Sequence, residues 1–277
     1  MPIGWDAGPE SVFELSQGWS RALAIGRRFG SAAGVAADVW PGPTAVRPLP
    51  LAAKAMSLVS SGADVFGVGG AQRVTVTFVD AAGDWRVSDQ VAMNGATPVP
   101  ITYKPSDRLV TAGVTATPPD GTSVAASIYR VQSVSVSAAL GQTEANPRAN
   151  NLGNVTVVDT ATGLVVYDYM PAGFGRSQSA AFYAPRNFES KVHKMNAGVY
   201  RTGGAARAVI DIGLTLGPGT AYQRLGLMMI NDSMGLFTND PATTAALQQA
   251  DFGAVMTPNG NTADGLVVLE FRLRPLV

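Results

Sequence analysis

Between Arg73 and Val99 apolar and polar residues alternate with a period of two. Val74, Val76 and Phe78 fall on one side of a first predicted strand, and Arg73, Thr75 and Thr77 on the other. After the turn-like segment Asp80-Ala81-Ala82-Gly83-Asp84, Trp85, Val87, Val91 and Met93 repeat the alternation, and Asn94-Gly95 turns the chain again. This is the pattern that an antiparallel sheet with one wetted face requires. The same reading predicts strands over 128–137, 154–158, 164–169, 207–214, 225–230 and 266–274. In the last of these Val267, Leu269, Phe271 and Leu273 share one face, and Glu270, Arg272 and Arg274 the other. Asp159 to Gly163 reads as a hairpin turn with glycine at its exit. One helix is expected from Pro241 to Ala250, capped by Asp240, with Pro241 in its first turn and Gly253 beyond its end.

Residues 1–55 have a different texture. Ser11-Val12-Phe13-Glu14 fits a capping box, and Val12, Leu15, Trp19 and Leu23 fall at helical spacing. Gly18, Gly26 and Gly30 argue against a long helix, and Pro41, Pro43, Pro48 and Pro50 force extended or turn geometry. The expected organisation is an N-terminal arm or docking segment over 1–55, with at most one short helix, followed by a domain over 56–277. The fold class expected is mainly β: an antiparallel β-sandwich or jelly-roll-like domain with an N-terminal arm and one late short helix.

Composition narrows the chemistry. The 277 residues carry 20 basic and 20 acidic side chains, without the basic surplus of a nucleic-acid binder. The absence of cysteine removes disulfides, thiolate metal sites and thiol nucleophiles together. No secretory signal and no membrane-spanning run is visible, so synthesis in a bacterial cytoplasm is expected. Low net charge beside 46% hydrophobic residues fits equally an obligate assembly with copies or partners and a soluble monomer with a good core.

Candidate catalytic features are few. His193 is the only histidine, in the polar stretch Ser190-Lys191-Val192-His193-Lys194, and reads as a surface or interface residue. No G-x-S-x-G elbow accompanies it, and Gly173-Phe174-Gly175-Arg176-Ser177-Gln178-Ser179 does not supply one. The carboxylates are dispersed, many in turns such as Asp80, Asp120 and Asp159, where Asp is favoured for its side-chain bonds to backbone. A glycosidase pair would have to be assembled by the fold. Gly67-Val68-Gly69-Gly70 precedes a strand and lacks a phosphate-cradling context. Trp5, Trp19, Trp40, Trp85, Tyr183 and Tyr200 are read as packing or interface anchors rather than sugar platforms. Phe182-Tyr183-Ala184-Pro185-Arg186 reads as a strand running into a turn. No catalytic, cofactor-binding or metal-binding residue is assigned.

An ordered series of short motifs carries a resemblance. Asp38-Val39-Trp40-Pro41-Gly42-Pro43 is followed by the segment from Ala55 to Ser61, by Gly69 to Val76, and by Asp89-Gln90-Val91-Ala92-Met93-Asn94-Gly95-Ala96-Thr97-Pro98-Val99. Tyr129-Arg130-Val131, Asn151 to Val157 and Phe182-Tyr183-Ala184-Pro185 follow in the same order. The series resembles a family of uncharacterised tailed-phage virion proteins with a W-x-x-x-E-x-V-x-L-N-G-T-T-P-V core, over roughly residues 38–185. Asp89 stands where that pattern has glutamate and Met93 where it has leucine, and residues 105–122 look like an insertion. The resemblance implies a non-enzymatic structural component of a phage virion: a fibre, spike or decoration protein of the head or head–tail region. It implies self-association into a homo-oligomer and contacts with other virion proteins, while the charge balance and the hydropathy point to neither nucleic acid nor membrane as partner, and no cofactor is expected. The alternative is a receptor-recognition module of a tail fibre that binds host-surface glycan.

Overall fold

The structure, a computed structural model, describes residues 20–105, 109–111, 114–115, 122–139, 150–186, 188–200, 207–215, 223–231, 234–238 and 249–275. Its strands in the first half are β1 (Ser20–Ser31), β2 (Ala37–Asp38), β3 (Lys54–Ser60), β4 (Ala71–Asp80), β5 (Trp85–Val87), β6 (Val91–Ala92) and β7 (Val99–Pro100). They continue with β8 (Thr102–Tyr103), β9 (Leu109–Thr111), β10 (Val114–Thr115), β11 (Val124–Ala125), β12 (Ser127–Ala139), β13 (Val155–Asp159) and β14 (Val166–Met170). The last seven are β15 (Ala181–Tyr183), β16 (Phe188–Tyr200), β17 (Arg207–Thr215), β18 (Gln223–Asn231), β19 (Met234–Thr238), β20 (Asp251–Pro258) and β21 (Ala263–Pro275). Among the described residues there is no helix.

Two cores organise these strands. An eight-stranded sheet, ordered β14-β13-β3-β12-β4-β5 with β6 beside β4 and β7 beside β3, curls into a half-barrel. Its interior holds Met56, Leu58, Val74, Val76, Phe78, Ile128, Val134, Val157 and Met170. The second core lies between a four-stranded sheet, β1-β21-β16-β19, and a five-stranded sheet, β15-β20-β17-β18 with β2 beside β20. Both sheets are antiparallel, and β21 shows why they close. Val267, Leu269, Phe271 and Leu273 are fully buried on one face, each contributing roughly 1.5–3 kcal/mol of apolar burial. On the opposite face Glu270 and Arg272 are buried as well, at 8% and 5% exposed, while Asp264, Leu266, Val268 and Arg274 are half-buried.

The alternation at Arg73–Phe78 holds: Val74, Val76 and Phe78 are fully buried and Arg73, Thr75 and Thr77 half-buried. On the partner strand the expected single face is split between the cores. Val91 and Met93 enter the half-barrel, whereas Trp85 joins Val79 in the second core. The cause is one extra residue. Thr77 pairs with Val87 but Val74 with Val91, one position out of step. At this bulge the Ser88 N–H donates to Val76 O, and Ser88 Oγ accepts from the Val76 N–H (2.8 Å each). A one-residue insertion exchanges the faces of everything beyond it.

Both predicted turns are present, with Gly95 and Gly163 at φ 58° and 67°. The loop after β3 is organised by Asp64, which is fully buried. Its Oδ1 accepts from the N–H groups of Ala71 (2.8 Å) and Leu152 (2.7 Å), and its Oδ2 from Ser60 Oγ (2.5 Å) and Gly153 N–H (2.8 Å). One carboxylate thereby ties together segments nearly ninety residues apart.

Several expectations need correction. Ser190–Lys194 is not a connection between strands but the middle of the thirteen-residue β16, and His193 is buried, at 5% exposed. Leu23, expected on a helix, lies in β1, which pairs along most of its length with β21. The remainder of that helix, residues 11–19, lies outside the described residues. So do residues 241–248 of the predicted late helix; Gln249, at φ 53°, and Ala250 are not helical.

Gly26 in β1 is fixed by proximity. A Cβ there would lie 2.2 Å from the Ala180 nitrogen and 2.4 Å from the Val39 oxygen, so β1 could not approach those segments. Replacing Gly26 by alanine is expected to cost about 1–3 kcal/mol of stability, read as a lower denaturant midpoint with unchanged slope. An unchanged midpoint would contradict this packing.

Candidate functional site: the joint between the cores

A proline-rich strap, residues 38–50, crosses the joint. Its four prolines lack N–H groups, so it cannot join a ladder continuously, while its carbonyls still need donors. Arginines supply them. Arg28 Nη1 donates to Thr44 O (2.8 Å) and, more loosely, to Gly42 O and Trp40 O; the Trp40 indole N–H also donates to Thr44 O (3.0 Å). Arg130 Nη1 donates to Pro50 O (2.8 Å) and Tyr129 O (2.9 Å). Arg47, within the strap, donates from Nε to Tyr167 O and from Nη2 to Val131 O (2.9 Å each), anchoring the strap to the half-barrel.

Arg130 also spans the two cores. From β12, its Nε and Nη2 grip the Asp251 carboxylate on β20 at 2.8 Å, a forked geometry that only guanidinium offers. Its carbon Cζ sits 4.0 Å from the Tyr129 ring centroid. Burial works against the Arg130 charge, yet the Asp251 hydrogen bonds and charge outweigh it, and the guanidinium pKa is raised. Two residues on, Gln132 completes the seam: its Oε1 accepts from the Tyr183 N–H (2.9 Å) and its amide donates to Tyr183 O. Burial, followed by the nearby Tyr129 and Asp251, pushes the Tyr183 phenol up to about 12.

Beneath the strap lies a cavity of about 230 Å³. Trp40, Val131, Phe182 and Phe252 form apolar wall, and Asp38, Arg47, Arg130 and Asp251 the polar part. Asp38 is half-buried, and burial raises its carboxyl pKa despite the Arg47 backbone bond (2.6 Å) and the charges of Arg47 and Arg28.

Trp40 and Tyr183 line the cavity, Trp85 packs edge-on against Phe182 and Phe188 in the second core, and Tyr200 is 44% exposed. Trp5 and Trp19 lie outside the described residues. His193 shares the buried outer face of β16 and β21 with Lys191, Glu270 and Arg272. Asp38 and Asp251 are the carboxylates at the cavity. Asp38 pairs with Val255, four residues along β20 from Asp251, which places their backbones about 13 Å apart at strand rise. Both Asp251 oxygens are held by Arg130. No group of three or more potential metal ligands occurs among the described residues. No helix among them is long and apolar enough to cross a membrane. Arg47, Arg130, Gln132 and Asp251 were not individually legible as a cluster. The one signal was that Asp38–Pro43, Tyr129–Val131 and Phe182–Pro185, three separate motifs of the resemblance, all meet at this joint.

No established protein family matches this chain, and no curated protein matches it. Solved structures that align with it include T=1 particles derived from infectious bursal virus, at 11% identity over 93% of this chain and 78% of that one, with a TM-score of 0.10. The infectious bursal disease virus VP2 subviral particle aligns at 12% identity over 92% and 81%, also with a TM-score of 0.10. Alignments at that score carry no argument about fold or function.

Two substitutions test the joint. Asp251→Ala leaves a buried guanidinium without its partner and is expected to cost about 3–5 kcal/mol, measured by denaturant unfolding. Arg130→Met in that background should cost little more, apart from the two carbonyls it releases. Asp38→Asn keeps an acceptor for the Arg47 N–H and removes a raised carboxyl. A raised pKa favours folding only while the group is protonated and opposes it once pH exceeds the folded value. At neutral pH this variant should therefore melt no lower than the parent protein, and a clear loss of stability would contradict the assignment.

Proposed function

We propose that this chain is a non-enzymatic structural component of a tailed-phage virion, a fibre, spike or decoration protein of the head or head–tail region. In this reading the four- and five-stranded sheets are the layers of a β-sandwich, and the half-barrel is a second lobe rigidly joined to it. The ordered motif series over residues 38–185 supports the assignment, and one structural observation carries the assembly part of it. Large apolar side chains stand in solvent at loops and at a sheet edge: Leu164 is 84% exposed, Leu51 80%, Met229 78%, Val46 and Val68 68%, and Leu152 60%. Met229 lies on β18, the last strand of its sheet's described order. Apolar residues concentrated on edges and loops suit burial against neighbouring subunits.

Glycan recognition is favoured less, because the aromatics at the cavity, Trp40, Phe182, Tyr183 and Phe252, are 1–6% exposed and offer no open stacking face. Mass spectrometry of purified particles from a phage carrying this gene is expected to detect the chain at a fixed copy ratio to the major capsid protein. Particles without it would refute the proposal. Saturable binding on a host-glycan array would instead support the receptor-recognition alternative.

A further inference from the structure

We propose that the cavity beneath the strap is a binding site for a neutral, mainly apolar molecule of one or two rings carrying a single carbonyl or hydroxyl oxygen. This goes beyond the structural role and does not depend on it. At about 230 Å³ the space exceeds the ~150 Å³ of an apolar cavity that accepts benzene and falls below the ~300 Å³ where drug-sized sites begin. Val46 and Leu49 both line the cavity and are 68% and 39% exposed, so it communicates with solvent along the strap. Val46 and Leu49 present apolar surface at its mouth and Trp40 and Phe252 close its wall, so water inside would be in contact mainly with hydrocarbon.

The polar groups define the ligand's chemistry. Arg130 is saturated by Asp251 and two carbonyls. Arg47 uses Nε and Nη2 on backbone carbonyls, with Nη2 also 3.8 Å from the Asp168 carboxylate, and none of these contacts occupies Nη1. An oxygen in the cavity would give that nitrogen a partner. An anion would meet the Asp38 and Asp251 carboxylates, and a cation would meet Arg47 and Arg130. Only a neutral ligand avoids both, since desolvated like charges are costly.

Gly253 offers a plug. It lines the cavity, and the only atom near an added Cβ is Ala180 O at 3.9 Å, so a side chain there projects into free space on a regular strand. The test is fluorescence titration of the full chain with prodan, a neutral naphthyl ketone. Expected is saturable one-site binding with blue-shifted emission, weakened at least tenfold by Gly253→Leu at unchanged circular dichroism. The anionic dye 1-anilinonaphthalene-8-sulfonate should bind at least tenfold more weakly than prodan. Should Gly253→Leu fail to fold, Ala181→Leu at the same wall serves in its place. Absence of saturation, or equal prodan affinity in the plugged variant, would overturn the site. Tighter binding of the anionic dye would overturn the ligand class.

Discussion

The forked contact between Arg130 and Asp251 is the constraint on which the arrangement of this protein rests. The two cores share strands, since Val79 and Trp85 of the eight-stranded sheet pack into the second core beside Phe182 and Phe188, and the joint adds a directional contact to that apolar one. A hydrophobic contact alone would permit sliding. A bidentate ion pair, flanked by the reciprocal Gln132–Tyr183 bonds, accepts one register. Such a pair adds little net stability over a well-packed apolar substitute, because two charges must be stripped of water. The desolvation cost is offset in part by the carbonyls of Pro50 and Tyr129, which Arg130 satisfies at the same time.

The strap depends on the same economy of donors. Proline keeps it extended and out of the sheets, and it then needs side chains to satisfy its carbonyls. Arginine is suited to this because its donors diverge in a plane and reach several acceptors at once. Lysine stands only at positions 54, 104, 191 and 194, so most of the 20 basic residues are arginine, and Arg28, Arg47 and Arg130 are put to this use.

Strand positions were legible in the sequence because apolar alternation and turn chemistry are local. The strands over Ile128, Val157, Tyr167, Ile210 and Val267 lie where the pattern places them. Three features were not legible, each for a non-local reason. The bulge at Ser88–Gln90 preserves the alternation in the sequence while reversing the face in space, so Trp85 looks equivalent to Val91 and is not. Around Lys191, His193, Glu270 and Arg272 the outer face is buried as well as the core face, so the polar run through His193 resembles a loop although it lies within a strand. The joint unites residues from positions 38, 47, 130, 183 and 251, and no spacing rule links them.

The pairing of β1 with β21 has a consequence for how the chain is made. The half-barrel draws its core from residues 56–170, all of which leave the ribosome while the rest is still being synthesised. The second core cannot close then, because Ala24 must wait for Leu269 opposite it, some 245 positions later. Until that moment β1 has no partner strand, although every residue of the half-barrel core has already been made. A nascent chain in this state is open to association with its neighbours on the same message before it is closed to them.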